Sequence, residues 1–531
     1  MKIPMKLISI LLVVLLLCGC VPSVDDTLAE IAALGESPDD NYRTWYEIFV
    51  YSFCDSNGDG IGDINGVRSK LDYLEELGIT GIWLMPIHSS TTYHKYNVTD
   101  YYSIDPDYGT MEDFEALLSE CEARGIKVIM DLVVNHTGSA NQWFLDMSKY
   151  LKTLPEGQEP SAEECPSLEY YILSTEAEAG YNNIVGTPYY YECRFSPDMP
   201  DLNLDSEALR AEIKKIMEFW LSKGIDGFRL DAAKEFWSGN TAKNVEVLNF
   251  LQETAESIKP DVYVVAEVWD SFAQVTEYYT SGICSLFDFP FGSANGKIVE
   301  VLRGAGDAAK VSSYATALEK ADKAYSASNA DYIDAPFLSN HDVGRIAGFV
   351  ARDENKTKLA GAMNIFMSGS CFIYYGEELG MVSGGSDDPS KRAPMYWNDA
   401  RNNGTTNPPP GCTLPEEYTF GSLESQKKES DSVYNYYRQA IAIRNALPVI
   451  SHGKTTAETA LNSGCISAQR KTWNEESCII LMNISDEAAQ VDLSAYADWK
   501  LAASLSADGG KIALKGTTLN LSAYGIAILI K

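Results

Sequence analysis

Eight short apolar segments recur between residues 47 and 375, and amphipathic helical patterns fill several of the intervals between them. The predicted strands are Glu47–Phe53, Gly81–Met85, Lys127–Val134, Gly227–Asp231, Val262–Glu267, Ser285–Phe289, Ala335–Ser339 and Phe372–Tyr375. The predicted helices include Val67–Leu77, Met111–Arg124, Ser206–Lys223 and Thr357–Met367. Strand–helix alternation repeated eight times predicts a closed parallel (β/α)8 barrel of the TIM type, and a doubly wound open sheet is the alternative.

Two further regions interrupt or follow this pattern. About 65 residues rich in Tyr, Glu, Pro and Gly follow the third strand, far more than an ordinary loop contains, and they predict an inserted subdomain over residues 138–203. After the predicted helix Val433–Leu447, short segments with turn signals predict a C-terminal all-β domain over residues 448–531. The β segments are Cys478–Asn483, Gln490–Leu493, Lys511–Leu514 and Ile526–Ile530. The barrel would then comprise residues 42–137 and 204–447.

The first 20 residues have the pattern of a secretory signal. Lys2 and Lys6 precede the apolar run Leu7–Leu17, and the segment ends in Leu-Cys-Gly-Cys at Cys20. An uncleaved anchor is the alternative, but the run is short for a bilayer span of about 20 residues. Residues 21–41 are then predicted to form a polar tether.

Charge and cysteine content exclude some functions. The net charge of −33 disfavours nucleic-acid binding, because phosphates would be repelled. No Cys-x-x-Cys motif occurs among the 11 cysteines, which disfavours a thiolate metal site. Export permits disulfides, with Cys165–Cys193 and Cys465–Cys478 as the candidate pairs. We favour mostly buried free thiols.

Polar residues end four of the predicted strands, where a barrel places its functional groups. The four segments are Asp131–Thr137, Gly227–Glu235, Ala266–Trp269 and Phe337–Asp342. Arg229 and Asp231 lie two residues apart on one strand, so their side chains point to the same side. A buried ion pair is the structural alternative. Four polar strand ends predict one shared pocket.

These four segments, in this order, resemble the four sequence regions of the alpha-amylase superfamily (glycoside hydrolase family 13). The resemblance covers residues 42–531. It implies that Asp231 is the nucleophile, Glu267 the acid/base and Asp342 the third catalytic carboxylate. Retaining cleavage places the first two carboxyl groups about 5–5.5 Å apart. We expect burial and neighbouring carboxylates to raise the pKa of Glu267, and Arg229 to keep Asp231 ionised.

The same resemblance assigns residues that bind substrate. Tyr96 would stack on the sugar in the cleaved subsite, and His136 and His341 would donate to its hydroxyl groups, although each residue also has a structural interpretation. Lys234 would contact a sugar on the leaving side. Glu235 departs from the family pattern, because many amylases have His at that place.

The segment Asp55–Asp63 places oxygen ligands at alternate positions, as a hard cation requires. Gly66 stands where an EF-hand would have Glu, so an EF-hand is excluded. The resemblance implies a calcium site formed by the side chains of Asp55, Asn57, Asp59 and Asp63 and the carbonyl group of Ile61. A carboxylate-capped turn without metal is the alternative. A second calcium would use Asn135 and Asp201.

Two segments, Met199–Asn203 and Arg392–Trp397, resemble a group intermediate between oligo-1,6-glucosidases and neopullulanases, which includes alpha-amylases. Exo-acting relatives have Asp where this chain has Tyr93. The resemblance therefore implies internal hydrolysis of α-1,4-glucosidic bonds in starch and related glucans by a monomer. The alternatives are a neopullulanase-like, cyclomaltodextrinase-like or glucanotransferase activity, and a non-catalytic starch-binding lipoprotein.

The end of the signal resembles the lipobox of bacterial lipoproteins. This resemblance implies that Cys20 is lipidated and that the protein is held at the cell surface through a lipid anchor only. Simple secretion is the alternative.

Overall fold

The computed structural model describes residues 23–155 and 157–531, so the predicted signal and Cys20 lie outside the described residues. Eight parallel strands lie side by side in the order seven, six, five, four, three, two, one, eight. Backbone hydrogen bonds from Ser370 to Asp334 and from Phe372 to Pro336 join the eighth strand to the seventh. The prediction of a closed barrel is confirmed, and the alternative of an open sheet is wrong. The strands are Thr44–Ile48, Gly81–Leu84, Lys127–Leu132, Gly227–Leu230, Tyr263–Ala266, Ser285–Phe287, Ile333–Ala335 and Cys371–Tyr374.

The predicted bounds of two strands are wrong. The first strand begins three residues before Glu47, and Val50–Phe53 forms a helical turn. Every residue of Thr44–Ile48 is buried, so no polar alternation in the sequence marks where this strand ends. The seventh strand ends at Ala335 rather than beginning there. Pro336 follows it and has no N–H group for the sheet, so residues 337–342 leave as a loop.

Helices surround the barrel. Their bounds are Ile64–Arg68, Leu71–Leu77, Met111–Ala123, Glu207–Lys223, Thr241–Ile258, Phe272–Tyr278, Lys297–Arg303, Ala308–Ser328, Glu354–Ile365 and Val433–Ala446. The helix predicted at Val67–Leu77 is in fact two, because the Ser69 hydroxyl donates to the Gly66 carbonyl at 2.7 Å where the first helix ends. Ser206 caps its helix by accepting from the Leu209 N–H.

The described residues of the inserted region, 138–155 and 157–203, form one helix, one 3-10 turn and three short strands. These are Gln142–Thr153, Pro166–Tyr170, Leu173–Ser174, Tyr181–Asn183 and Tyr190–Glu192. It begins and ends at the same strand end, because the Thr137 N–H donates to the Pro200 carbonyl and the Leu202 N–H to the Asn135 carbonyl. These bonds place the subdomain beside the carboxyl end of the third strand.

The C-terminal region is all-β, as predicted. A five-stranded sheet contains Lys454–Ala457, Ile466–Trp473, Glu476–Asn483, Gly525–Ile530 and Lys500–Ser506 in that spatial order. A three-stranded sheet contains Ala489–Asp492, Thr518–Leu521 and Ala513–Lys515. A separate apolar core fills the space they enclose, with Leu481, Leu519 and Leu529 fully buried.

The prediction of a plain polar tether is wrong for the part that the structure describes. Val24–Ala32 is a helix capped by Ser23, and it packs against the helix Val433–Ala446. Ile31 is buried, and the Ser37 hydroxyl donates to the Asn445 carbonyl at 2.9 Å.

The nine cysteines of the described residues are free thiols, six of them buried, so neither candidate disulfide forms. None of the helices between residues 23 and 531 that the structure describes has both the length and the apolar character needed to cross a bilayer.

Candidate active site

One buried cation organises the barrel interior. Arg229 lies on the fourth strand, paired with Asp131 of the third strand and Val265 of the fifth. Its Nη1 donates to Asp131 Oδ1 at 2.6 Å and to Asp231 Oδ1 at 2.7 Å, and its Nη2 donates to Glu267 Oε2. The guanidinium is fully buried, so these three carboxylates provide the partners that its charge requires.

The backbone after Asp231 adopts an uncommon conformation. Ala232 has φ +47°, in the left-handed region that non-glycine residues seldom occupy. The Ala233 N–H donates to the Glu267 carbonyl at 3.0 Å, which ties this turn to the end of the fifth strand. The turn therefore fixes Asp231 relative to Glu267, and strained backbone of this kind is common at functional sites.

The carboxyl groups of the site differ in proton affinity. Burial raises the pKa of Glu267 to about 7, with the charges of Asp231 and Asp342 adding to the effect and Arg229 opposing it. The direction and both causes agree with the sequence-based expectation. Burial also raises the pKa of Asp131 to about 6, against the opposing charge of Arg229. Glu267 is thus suited to hold a proton at neutral pH.

A second network holds Asp342. His341 Nδ1 lies 2.6 Å from Glu47 Oε1, and its Nε2 lies 3.0 Å from Asp342 Oδ2. Burial acts against protonation of this imidazole, but Asp342 and Glu47 outweigh it and raise the pKa of His341 to about 9. Burial likewise disfavours the Asp342 anion, yet His341 and Arg392 hold the pKa of Asp342 far below its usual range. Arg392 Nη2 donates to Asp342 Oδ1 at 2.9 Å.

We name the space above these groups the catalytic cavity. It has a volume of about 420 Å³. Its lining comprises His94, Tyr96, His136, Phe195, Met199, Asp231, Ala232, Glu267, Trp269, Asp342, Asp388, Lys391 and Arg392. The predicted nucleophile, acid/base and third carboxylate therefore meet in one cavity.

The residues predicted to bind sugar lie at three places. Tyr96 and His136 line the catalytic cavity, and His136 Nε2 is buried without a hydrogen-bond partner among the described residues. His341 lies behind Tyr96, whose hydroxyl oxygen is 2.7 Å from His341 Nε2. Lys234 lies at the rim, where its Nζ contacts the Trp269 carbonyl and Asp270, each at 3.1 Å.

An adjoining cavity of about 710 Å³ continues from the catalytic cavity and shares Trp269, Asp342 and Lys391 with it. Trp269 is 48% exposed and stacks on Phe289, with ring centroids 5.3 Å apart and planes 12° apart. Phe195 of the inserted subdomain, 52% exposed, packs against the His136 ring on another wall of the catalytic cavity. Exposed aromatic faces in a cleft are typical of sugar binding.

The predicted calcium loop folds around its own carboxylates. Asp55 Oδ2 accepts from the Gly60 N–H at 2.8 Å, Asp59 Oδ1 from the Ile61 N–H at 2.8 Å, and Asp63 Oδ1 from the Gly66 N–H at 2.7 Å. Among residues 23–155 and 157–531, no three His, Cys, Asp or Glu side chains converge closely enough to hold a metal by themselves. The loop adds an amide and a carbonyl oxygen to three carboxylates, a donor set that fits Ca²⁺.

The residues considered for a second calcium also lie together. Asn135 Nδ2 donates to Asp201 Oδ1 at 3.4 Å, and the Arg194 N–H donates to Asp201 Oδ2 at 2.9 Å. Burial raises the pKa of Asp201 to about 7. Each oxygen of the Asp201 carboxyl group accepts one hydrogen bond, and the second calcium stays a prediction.

The comparisons with known proteins agree with this geometry. Residues 47–453 match the family described as alpha amylase, catalytic domain. Alpha-amylase 3 of Dictyoglomus thermophilum is 41% identical over 77% of this chain and 78% of its own length. The oligo-1,6-glucosidase of Bacillus cereus is 28% identical over 84% of this chain and 91% of its own length. The structure of Eubacterium rectale Amy13B is 42% identical, with a TM-score of 0.92 over 96% of this chain and 99% of that one.

Proposed function

Because the chain belongs to the alpha-amylase family of glycoside hydrolases, we propose that it cleaves internal α-1,4-glucosidic bonds of starch and related glucans with retention of configuration. The observation that carries this proposal is the pair Asp231 and Glu267, both bound by Arg229 and both lining one cavity. Glu267 has a pKa raised to about 7, so it can hold a proton near neutral pH. Retaining hydrolysis requires such a protonated acid beside a carboxylate nucleophile.

In the first step, Asp231 attacks the anomeric carbon while Glu267 donates its proton to the glycosidic oxygen. The glycosidic bond breaks, the leaving glucan departs with a new hydroxyl group, and an ester joins the sugar to Asp231. In the second step, the Glu267 carboxylate takes a proton from water, and the hydroxide attacks the same carbon. The ester breaks, Asp231 is released as a carboxylate, and Glu267 is protonated again.

The surrounding groups prepare these steps. Arg229 donates a hydrogen bond to Asp231 and fixes its orientation, so that the nucleophile is in place before substrate binds. Asp342 is held ionised by His341 and Arg392, and it stabilises the positive charge that develops on the sugar ring. His136, with its unpartnered Nε2, is placed to bond a sugar hydroxyl group.

Internal cleavage is supported by the shape of the site. The adjoining cavity gives a glucan space beyond the catalytic cavity, with Trp269 as the shared wall. Tyr93 stands where exo-acting relatives have a carboxylate, and its hydroxyl oxygen accepts from Arg392 Nη1 at 3.4 Å. Arg392 therefore pairs with Asp342 instead of with an acid that would clamp a terminal sugar.

We also propose that Asp55, Asn57, Asp59, Asp63 and the Ile61 carbonyl hold Ca²⁺. A bound cation would neutralise the loop carboxylates, which form no salt bridge with the basic side chains of the described residues. The loop after the eighth barrel strand rests on this segment, because the Asp55 N–H donates to the Gly404 carbonyl at 3.0 Å and the Asn407 N–H to the Gly60 carbonyl at 2.7 Å. The role proposed for calcium is therefore structural.

We further propose that the protein is an exported monomer attached to a membrane through a lipid on Cys20. The support is the sequence Leu-Cys-Gly-Cys at the end of the apolar run Leu7–Leu17.

The test of the enzymatic proposal is product analysis on starch. The purified protein should release mixed maltooligosaccharides early in the reaction, and the first products should be α-anomers by proton NMR. Sequential release of glucose from chain ends would instead indicate an exo-acting enzyme. With a maltooligosaccharide as the substrate, products longer than that oligosaccharide would indicate a transferase. A lack of any cleavage of either substrate would indicate a glucan-binding protein.

A further inference from the structure

We propose a second glucan-binding site on the inserted subdomain, in a groove between the helix Gln142–Thr153, the turn Pro166–Tyr170 and the barrel helix Glu207–Lys223. This inference rests on the proposed function, because the ligand is the same polymer. We name it the helix groove; its volume is about 560 Å³. The residues that matter to the argument are Trp143, Asp146, Tyr150, Glu164, Tyr170 and Glu212.

The helix Gln142–Thr153 has one buried face and one face that lines the helix groove. Phe144, Met147 and Leu151 are buried and attach the helix to the subdomain core. Trp143, Asp146, Tyr150 and Thr153 recur at spacings of three, four and three, so they form one stripe on a different face, about 15 Å long at 1.5 Å per residue. This stripe lines the helix groove, and its residues are not the buried ones that attach the helix to the subdomain core.

Aromatic rings form one part of the groove wall. Trp143 stacks on Tyr101, with centroids 5.3 Å apart and planes 21° apart, so one face of the indole is supported. Tyr170 meets Trp143 edge-on at 5.1 Å and 80°. Tyr150 lies two turns further along the same helix stripe. Rings held firmly in a cleft provide the apolar surfaces on which the faces of sugar rings pack.

Carboxylates form the other part. Hydrogen bonds fix their orientations: Asp146 accepts from Gln142 at 2.7 Å, Glu164 from Tyr150 at 2.7 Å, and Glu212 from Tyr102 and Lys215, each at 2.8 Å. Lys149 is the one cation among the residues that line the groove. Excess negative charge disfavours phosphate or nucleotide ligands, whereas carboxylate oxygens accept hydrogen bonds from the hydroxyl groups of a neutral sugar.

The helix groove shares no lining residue with the catalytic cavity or the adjoining cavity. A glucan bound there would not compete with the segment being cleaved. A long polymer would thus be held at two places on one molecule, which raises the effective concentration of its internal bonds at the catalytic cavity.

The binding test uses the full-length protein with Asp231→Asn, which removes cleavage. Trp143→Ala and Asp146→Arg are introduced separately, and Leu145→Ala is the matched control, because Leu145 is exposed on the same helix and does not line the groove. Retardation in amylose-containing native gels should fall about threefold to tenfold for Trp143→Ala, as loss of one aromatic contact predicts. It should also fall for Asp146→Arg, which removes a hydrogen-bond acceptor, and should be unchanged for the control.

The kinetic test uses the active enzyme. Asp146→Arg should raise the half-saturating concentration of starch about threefold or more and leave kcat/KM on maltotriose unchanged, because a short substrate fills only the catalytic cavity. Equal starch binding and kinetics in Asp146→Arg and Leu145→Ala would overturn the inference, and so would binding of oligolysine without binding of glucan. Asp146 is exposed, so this variant decides the question if Trp143→Ala fails to fold. If the wild-type protein cleaves no α-glucan, the proposed function fails, while gel retardation still tests the groove.

Discussion

The pH dependence of kcat/KM should report the proton on Glu267. This carboxyl group must be protonated to begin the reaction, and burial with the charges of Asp231 and Asp342 raises its pKa to about 7. A raised pKa keeps the acid protonated to higher pH than an ordinary glutamic acid. Activity should therefore be retained below pH about 7 and decline above it.

The size of the effect follows from the shift. The pKa rises from the ordinary 4.5 to about 7, and at 1.36 kcal/mol per unit the folded protein disfavours the Glu267 anion by about 3 kcal/mol. Two units above its pKa, about 1% of the enzyme would carry the proton. The value of kcat/KM should accordingly fall about 100-fold between its plateau and pH 9.

The assay compares two substrates of one glycone. In a maltooligosaccharide the leaving group is a sugar hydroxyl, which is a poor leaving group and needs the proton of Glu267. In a dinitrophenyl maltooligoside the leaving group is dinitrophenolate, which departs without that proton. The decline above pH 7 should therefore appear with the first substrate and be largely absent with the second. Glu267→Gln should abolish turnover of the first substrate and retain measurable release of dinitrophenol in the step that forms the ester.

Two results would refute this reasoning. A decline centred near pH 4.5 would show that the buried surroundings leave Glu267 with an ordinary pKa. An equal decline with both substrates would show that the titrating group is not the general acid.

Four other predictions test separate parts of the structure. Asp231→Asn should lower kcat about 10³–10⁵-fold, equivalent to about 4–7 kcal/mol, with an unchanged circular dichroism spectrum, and near-normal turnover would exclude it as the nucleophile. Chelation should lower the thermal midpoint of the wild-type protein and not that of Asp59→Ala, since calcium bound only to the folded state stabilises it. Burial raises the pKa of Glu378 to about 7, so the folded protein holds a proton that the unfolded chain releases above about pH 4.5. The stability of the folded protein should therefore fall as the pH rises from 4.5 to 7. Thermal midpoints measured over this pH range should fall less for Glu378→Gln than for the wild-type protein. Cys20→Ser should give a form that is either retained with its signal or released, with unchanged specific activity once solubilised, and wild-type activity found wholly in the medium would contradict the lipid anchor.

Two of the three predicted catalytic carboxylates could be located from the sequence because each one directly follows an apolar strand. Asp231 and Glu267 come immediately after Leu230 and Ala266, the last residues of the fourth and fifth strands. In a parallel barrel those ends meet, so sequence position alone brings the side chains together. The raised pKa of Glu267 was predictable for the same reason, because neighbouring acids and burial follow from that placement.

Other features depend on contacts that no local pattern reveals. Glu47 lies inside the first strand, where it is fully hidden, and its partner His341 is 294 residues away. Asp131 belongs to one of the four recognised segments, but only the register of the third and fourth strands shows that it faces Arg229. The helix Val24–Ala32 has a local helical signal that the tether prediction missed, with Leu28 and Ile31 three residues apart after a capping box, but its attachment depends on a distant helix.

The charged groups of the site leave one negative charge in excess before the reaction begins. Five carboxyl groups and three cationic groups are packed together: Glu47, Asp131, Asp231, Glu267 and Asp342 with Arg229, His341 and Arg392. With Glu267 protonated and His341 charged, four negative charges face three positive ones. Positive charge that develops on the sugar ring lies beside this excess negative charge while the Glu267 proton passes to the leaving group, so the fixed charges stabilise the transition state more than the neutral substrate.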